Sequence, residues 1–213
     1  MGSFKTYYQN LVEERLDIAS HIVEEIDNLD QSNVAEFIKQ MEGLLSSKGE
    51  HIDSGIFADV YGGKTGGYVV RISEDDRRYH QFFEGIGGIA NPIFPKILHG
   101  KQYKIDTTTI GVYIIQRLKV DRDFNYKLID TLKEEIGMDL KGIISRLAEG
   151  GHLYRDQIDK VDAVLKQVNR SYDDLRDFAM HLSKIVGNTR NDAHGGNFGF
   201  DNEGGLVIFD PIS

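Results

Sequence analysis

The chain has 213 residues, 40% of them apolar and 28% charged, an ordinary soluble composition that suits one domain or two small lobes. It contains no cysteine, which excludes disulfides, thiolate metal sites and a cysteine nucleophile. Its 34 acidic residues outnumber 25 basic ones for a net charge of −9, and this argues against nucleic acid or anionic membrane as partners. No apolar run reaches the ~20 residues that span a bilayer, and no signal-peptide pattern opens the chain, so a cytoplasmic protein is expected.

From Phe4 to Leu29, apolar residues at Tyr8, Leu11, Val12, Ile18, Ile22, Ile26 and Leu29 keep helical spacing. Asn33 followed by Glu36 has the form of a capping box. It predicts a second helix with Val34, Phe37, Ile38, Met41 and Leu45 on one face, stopped by Ser46-Ser47-Lys48-Gly49. One-faced helices usually pack on their own domain, so this pair is expected to brace it, with partner binding as the alternative.

From about 51 to 117 the texture turns β-rich and glycine-punctuated. Ile52-Asp53-Ser54-Gly55 leads to Ala58-Asp59-Val60-Tyr61, a turn at Gly62–Gly67, and a strand at Tyr68-Val69-Val70-Arg71-Ile72-Ser73. Glu74 to Glu84 reads as a helix packing through Tyr79, Phe82 and Phe83. Strands are expected near Lys96–His99 and Ile110–Gln116. Beyond Val120 the pattern predicts helices over 123–136, 138–148, 155–169 and 172–187. A glycine-rich loop, Asn191 to Asn197, and two short strands, Phe198–Phe200 and Leu206–Phe209, follow.

The strongest chemical signal is Asp192-Ala193-His194-Gly195-Gly196-Asn197, then a hairpin, then Asp210. Phosphoryl transfer needs a carboxylate near the acceptor hydroxyl and magnesium held against the phosphates. Asp192 is the candidate for the first role. The Asn197 carbonyl oxygen and Asp210 are oxygen ligands suited to Mg²⁺. His194 is expected to touch the γ-phosphate or hold the loop, and Gly195 and Gly196 to let it turn tightly. Arg71, ending a Val-Val-Arg-Ile strand, stands where a resemblance to kinases would put the phosphate-gripping cation, with Lys64 in the preceding turn as a rival. Its expected ion partner is Glu84, or else Glu74. The near-Walker stretch Ala58 to Thr65 lacks its first glycine and leads into a strand, not a helix, so it is rejected. The seven histidines show no zinc spacing.

These residues resemble the protein-kinase-like superfamily, and most closely the early serine/threonine kinases of podoviruses that reprogramme the bacterial host. The resemblance runs through the leading helices, Gly55 in a nucleotide-covering loop, the Arg71 strand, a hinge at Gly111–Leu118, Asp192-x-His-x-x-Asn197 and Asp210-Pro211-Ile212-Ser213. It implies an α+β bilobal fold: a helical extension over 1–49, a small antiparallel N-lobe over 50–118, and a reduced helical C-lobe over 119–213. It implies ATP and Mg²⁺ as cofactors, with hinge backbone near Gln116–Leu118 taking the adenine. The resemblance further implies phosphorylation of host proteins and of the protein itself, with Ser213 a candidate autophosphorylation site.

The sequence departs from the family pattern in five places, the first being the covering loop, where only Gly55 of the usual three glycines is present and Asp53 and Ala58 occupy the other positions. Arg71 stands for the usual lysine, Arg190-Asn191 for His-Arg, and Pro211-Ile212 for Phe-Gly, and no activation segment follows Asp210 in this sequence. Substrate binding through another surface, or a carboxy-terminal portion beyond Ser213, is therefore expected. The alternatives are a kinase-like protein that inhibits a host factor by binding, and a small-molecule phosphotransferase.

Overall fold

In the computed structural model, which describes residues 17–54, 58–63, 67–187 and 191–211, Tyr68-Val69-Val70-Arg71-Ile72 lies at the centre of an antiparallel sheet. The elements run α1 (described over 17–27), α2 (Val34–Lys48), β1 (Gly49–Ser54), β2 (Ala58–Gly63), β3 (Tyr68–Glu74), α3 (Arg77–Ile86), β4 (Ile97–Ile105) and β5 (Thr108–Gln116). Then come α4 (Arg122–Ile136), α5 (Leu140–Ala148), α6 (Arg155–Lys166), α7 (Tyr172–Val186), β6 (Phe198–Phe200) and β7 (Leu206–Ile208). This is the α+β order expected from the kinase-like resemblance. The chain forms two compact units, one taking the chain to Phe83 plus Lys96–Arg117, the other Glu84–Pro95 plus everything from Leu118.

In the first unit the strands order as β1-β2-β3-β5-β4, all antiparallel. Strand side chains alternate faces. Val70 and Ile72 of β3 and Ile110, Val112 and Ile114 of β5 therefore share one face, and they form a single core with Ile22, Val23, Ile26, Phe37, Met41 and Leu45. The leading helices thus cover a sheet face, as a brace does. Lys101 and Tyr103 of β4 pin α1 by bonding Asp27 at 2.6 and 2.8 Å. Asn33 caps α2, its side chain accepting from the Glu36 N–H at 3.2 Å. The reciprocal half of the predicted box is not formed, because Glu36 accepts instead from Gln40 Nε2 at 3.0 Å.

Two sequence expectations shift here. Glu74 ends β3 rather than starting a helix, because Asp75 turns the chain with a positive φ of 49° and bonds Thr109 through both its N–H and its carboxylate. The strand expected near 96–99 continues to Ile105, with exposed Gly100, Lys101 and Gln102 on the sheet's edge, where polar residues do not interrupt pairing.

The second unit is helical with a terminal hairpin. Asp121 caps α4, Asp139 caps α5, and Ser171 with Asp174 forms a capping box on α7. The helix expected to reach 169 stops at Lys166, and Asn169 takes a positive φ of 50°. That turn delivers Arg170, whose guanidinium bonds Leu206 O, Asn169 O, Pro92 O and Asp201 Oδ2 at 2.7–2.9 Å. Arg170 thereby fixes the β6–β7 hairpin on which the site depends.

Candidate active site

The loop from Asn191 to Asn197 is held on both sides by asparagines. Asn191, 5% exposed, donates from Nδ2 to Lys141 O at 3.1 Å and to Ser145 Oγ at 2.6 Å, tying the loop to α5. Asn125 on α4, fully buried, donates to Gly195 O at 2.8 Å and Phe198 O at 2.7 Å. Neither residue is singled out by the motif. Asn125 reads in sequence as one polar residue in an amphipathic helix, and only its burial reveals a role.

Within this frame the Asp192 carboxylate is engaged at both oxygens. Oδ1 lies 3.4 Å from Lys141 Nζ. Oδ2 accepts from Asn197 Nδ2 at 3.3 Å and lies 3.6 Å from His194 Nε2. His194 Nδ1 accepts the Gly196 N–H at 3.0 Å, so in the neutral ring the proton sits on Nε2, facing Asp192. The histidine therefore holds the loop and borders the carboxylate at once.

Asn197 also donates from Nδ2 to Asp192 O at 2.8 Å. Only the NH₂ end can serve a carbonyl, so this bond fixes the amide and leaves Oδ1 as the remaining ligand atom. The Asn197 backbone carbonyl accepts from Phe209 N at 3.1 Å and Asp210 N at 3.3 Å, while Asp192 N donates to Pro211 O at 2.8 Å. The pairing Phe198↔Ile208 thus carries Asp210 back beside Asn197. Asp192, His194, Asn197 and Asp210 are brought together in one unit.

The glycines act differently from expectation. Neither Gly195 nor Gly196 has a positive φ. A Cβ on Gly195 would stand 3.0–3.1 Å from the Tyr126 ring, and one on Gly196 2.9 Å from His194 Cε1. Close approach of the Tyr126 and His194 rings, not left-handed backbone, is what crowds a side chain there.

Arg71 is a second correction. Within the first unit its carboxylate partner is Asp76, Nη2 to Oδ2 at 4.0 Å, rather than Glu74. Asp76 caps α3 by accepting the Tyr79 N–H at 3.1 Å, and the Asp75 turn carries it back over the strand. The guanidinium also lies over the Tyr79 ring, 3.6 Å from its centroid, and Nε is buried without a hydrogen-bond partner. At the hinge, the Gln116 N–H donates to Lys96 O at 3.0 Å and the Arg117 N–H to Gly67 O at 3.3 Å. The Gln116 donor is therefore taken, and the Leu118 N–H is left without a backbone acceptor among the described residues. Gly55, Lys64, Arg190, Ile212 and Ser213 lie outside the described residues.

Among the described residues no group of three or more His, Asp or Glu side chains could hold a metal ion. The donor set here is smaller, one amide oxygen and one carboxylate. It fits Mg²⁺ carried on phosphates, which retains waters and takes only one or two protein carboxylates. No helix among the described residues is long and apolar enough to cross a membrane.

No protein-family model matches the chain, and no curated protein does. Among solved structures it is similar to the streptomycin–ATP–APH(2'')-IIa ternary complex at 14% identity, covering 84% of this chain and 70% of that one, with a TM-score of 0.37. A likeness at that level carries no argument about this chain's activity, for which the geometry above is the basis.

Proposed function

We propose that this protein is an ATP- and Mg²⁺-dependent phosphotransferase acting on serine or threonine of proteins, host proteins and itself included, as the resemblance to podovirus kinases implies. One observation carries the reading. Asp192 stands beside Asn197, whose backbone carbonyl is bonded by the N–H of Asp210, so an acceptor-facing carboxylate and two metal-type oxygen donors share one loop and hairpin.

Asp192 orients the acceptor hydroxyl and takes its proton as the oxygen–phosphorus bond forms. The bond broken is that between the γ-phosphorus and the oxygen bridging to the β-phosphate, and ADP leaves with the electron pair. Asn197 Oδ1 and Asp210 would hold Mg²⁺, which neutralises charge on the phosphates. The Leu118 N–H, in the same unit as Asp192, is the adenine donor.

A second reading, a kinase-like protein that inhibits a host factor by binding, is favoured by the engagement of Arg71 with Asp76 and Tyr79. Incubation with γ-labelled ATP and Mg²⁺ separates them. Label on protein, lost in both Asp192→Ala and Asp210→Ala, is expected, with a fall of roughly 10²–10⁴-fold from loss of the base. Mass spectrometry of the same sample should find phosphate on Ser213. Unlabelled protein together with unconsumed ATP would leave the binding reading standing.

A further inference from the structure

Asp192 is paired with a lysine from outside the loop and its motif. Lys141 is the second residue of α5, 51 positions before the carboxylate it faces at 3.4 Å. It is held there by its own backbone, since Lys141 O is the acceptor for the buried Asn191 Nδ2, and Ser145 one turn on is the second acceptor. One turn of α5 thus sets both the position of the loop and the position of a cation beside its reactive carboxylate. The Lys141 side chain remains 44% exposed, and an ammonium has three N–H donors of which Asp192 takes one.

We infer that Lys141 is a terminal-phosphate contact, held ready by Asp192 and reaching the γ-phosphoryl group of a bound nucleoside triphosphate. This inference rests on the phosphotransferase reading. If Asp192 faces the acceptor oxygen, the phosphorus that meets that oxygen lies next to whatever cation borders Asp192. Lys141 and His194 are the two side chains within 4.0 Å ion-pair range of Asp192 among the described residues. His194 is tied back through Nδ1 to the Gly196 N–H, whereas Lys141 has an extendable stem. The lysine thereby distinguishes a triphosphate from a diphosphate, because ADP lacks the group it would touch.

The test is calorimetric binding of Mg·ATP and Mg·ADP to the full chain and to Lys141→Met, Lys141→Arg and Ser145→Ala. The wild type is expected to prefer ATP over ADP, and Lys141→Met to reduce that ratio roughly tenfold, the worth of one charge-assisted hydrogen bond. Lys141→Arg should keep most of the ratio. Ser145→Ala, which loosens the loop but leaves the cation, should keep it as well. A Lys141→Met ratio equal to the wild type overturns the assignment and leaves the phosphotransferase reading intact. Loss of the ratio in Ser145→Ala equally overturns it, since loop order alone would then explain the effect. Failure of the wild type to bind either nucleotide removes the phosphotransferase reading and Lys141's role with it.

Discussion

Asp192 owes its position to residues that carry no reactive chemistry. Its backbone N–H is bonded to Pro211 O, and its neighbour Asn191 is sunk into α5 by two hydrogen bonds. Directly before the aspartate this chain has a buried amide that makes an anchor. Replacing Asn191 with alanine leaves the Ser145 hydroxyl and Ala193 N–H without this partner. It should lower stability by about 1–3 kcal/mol, the cost of stranding buried polar groups, as a fall in the urea midpoint. Phosphotransfer should fall with it, and the wild-type midpoint would remove the anchor role. Arg71 shows the limit of reading one residue from sequence. Chain distance ranked Glu84 first and Glu74 second, yet Asp76, set by the left-handed turn at Asp75, is the acid found beside it in the first unit.

At the scale of elements, the hairpin and α4 set the geometry of the loop. Arg170 has a 7% exposed side chain and satisfies three backbone carbonyls and the Asp201 carboxylate. Gly205 must lack a side chain because a Cβ there would overlap the Arg170 guanidinium. Burial pushes the Asp201 pKa up, but the Arg170 bond and the Gly205 and Glu203 N–H groups outweigh it and hold the carboxyl below its usual range. Arg170→Ala would leave the part-buried Asp201 carboxylate with only the Glu203 and Gly205 N–H groups and would take the donor from three backbone carbonyls, at a cost of roughly 3 kcal/mol. Arg170→Lys keeps the charge but not the fork of donors, so an intermediate loss is expected. Thermal melts of the two variants should rank in that order. A lysine variant as stable as the wild type would show that charge alone holds the hairpin.

At the scale of the whole chain, each unit has its own means of cohesion. In the first, the brace of α1 and α2 is fixed to the sheet edge by Asp27, Lys101 and Tyr103. The Lys101 hydrogen bond, outweighing desolvation, holds the Asp27 pKa below its ordinary 3.8, and burial followed by the Asp27 bond pushes the Tyr103 phenol well up. A carboxyl whose folded pKa is depressed stabilises the fold above its unfolded value, and that contribution is lost as pH falls through the folded pKa. A phenol with a raised pKa contributes below about 10 and loses that contribution as pH rises further. Stability should therefore decline below about pH 4 and above about pH 10, and the decline on the acid side should flatten in Asp27→Asn. Urea midpoints at pH 7, 4 and 3 would read this, and parallel curves for the two proteins would exclude Asp27 as a source.

The amino-acid sequence by itself determined the kinds of elements and their order, because periodicity, caps and turn residues act within a few positions. Tyr68–Ser73 alternates as a strand, Leu175 to Ile185 repeats as a helix, and Asn33, Asp192, Asn197 and Asp210 are visible as types at fixed spacing. Tertiary structure decided which residues serve those types. Asn125, Lys141 and Arg170 reach the loop or hairpin from 31 to 73 positions away, and nothing local marks them. For Asn125 and Arg170 the selection comes from burial, which makes an enclosed donor costly to leave without an acceptor, whereas Lys141 is placed by α5, whose backbone carbonyl at the same residue accepts from Asn191. Chain spacing cannot encode that choice.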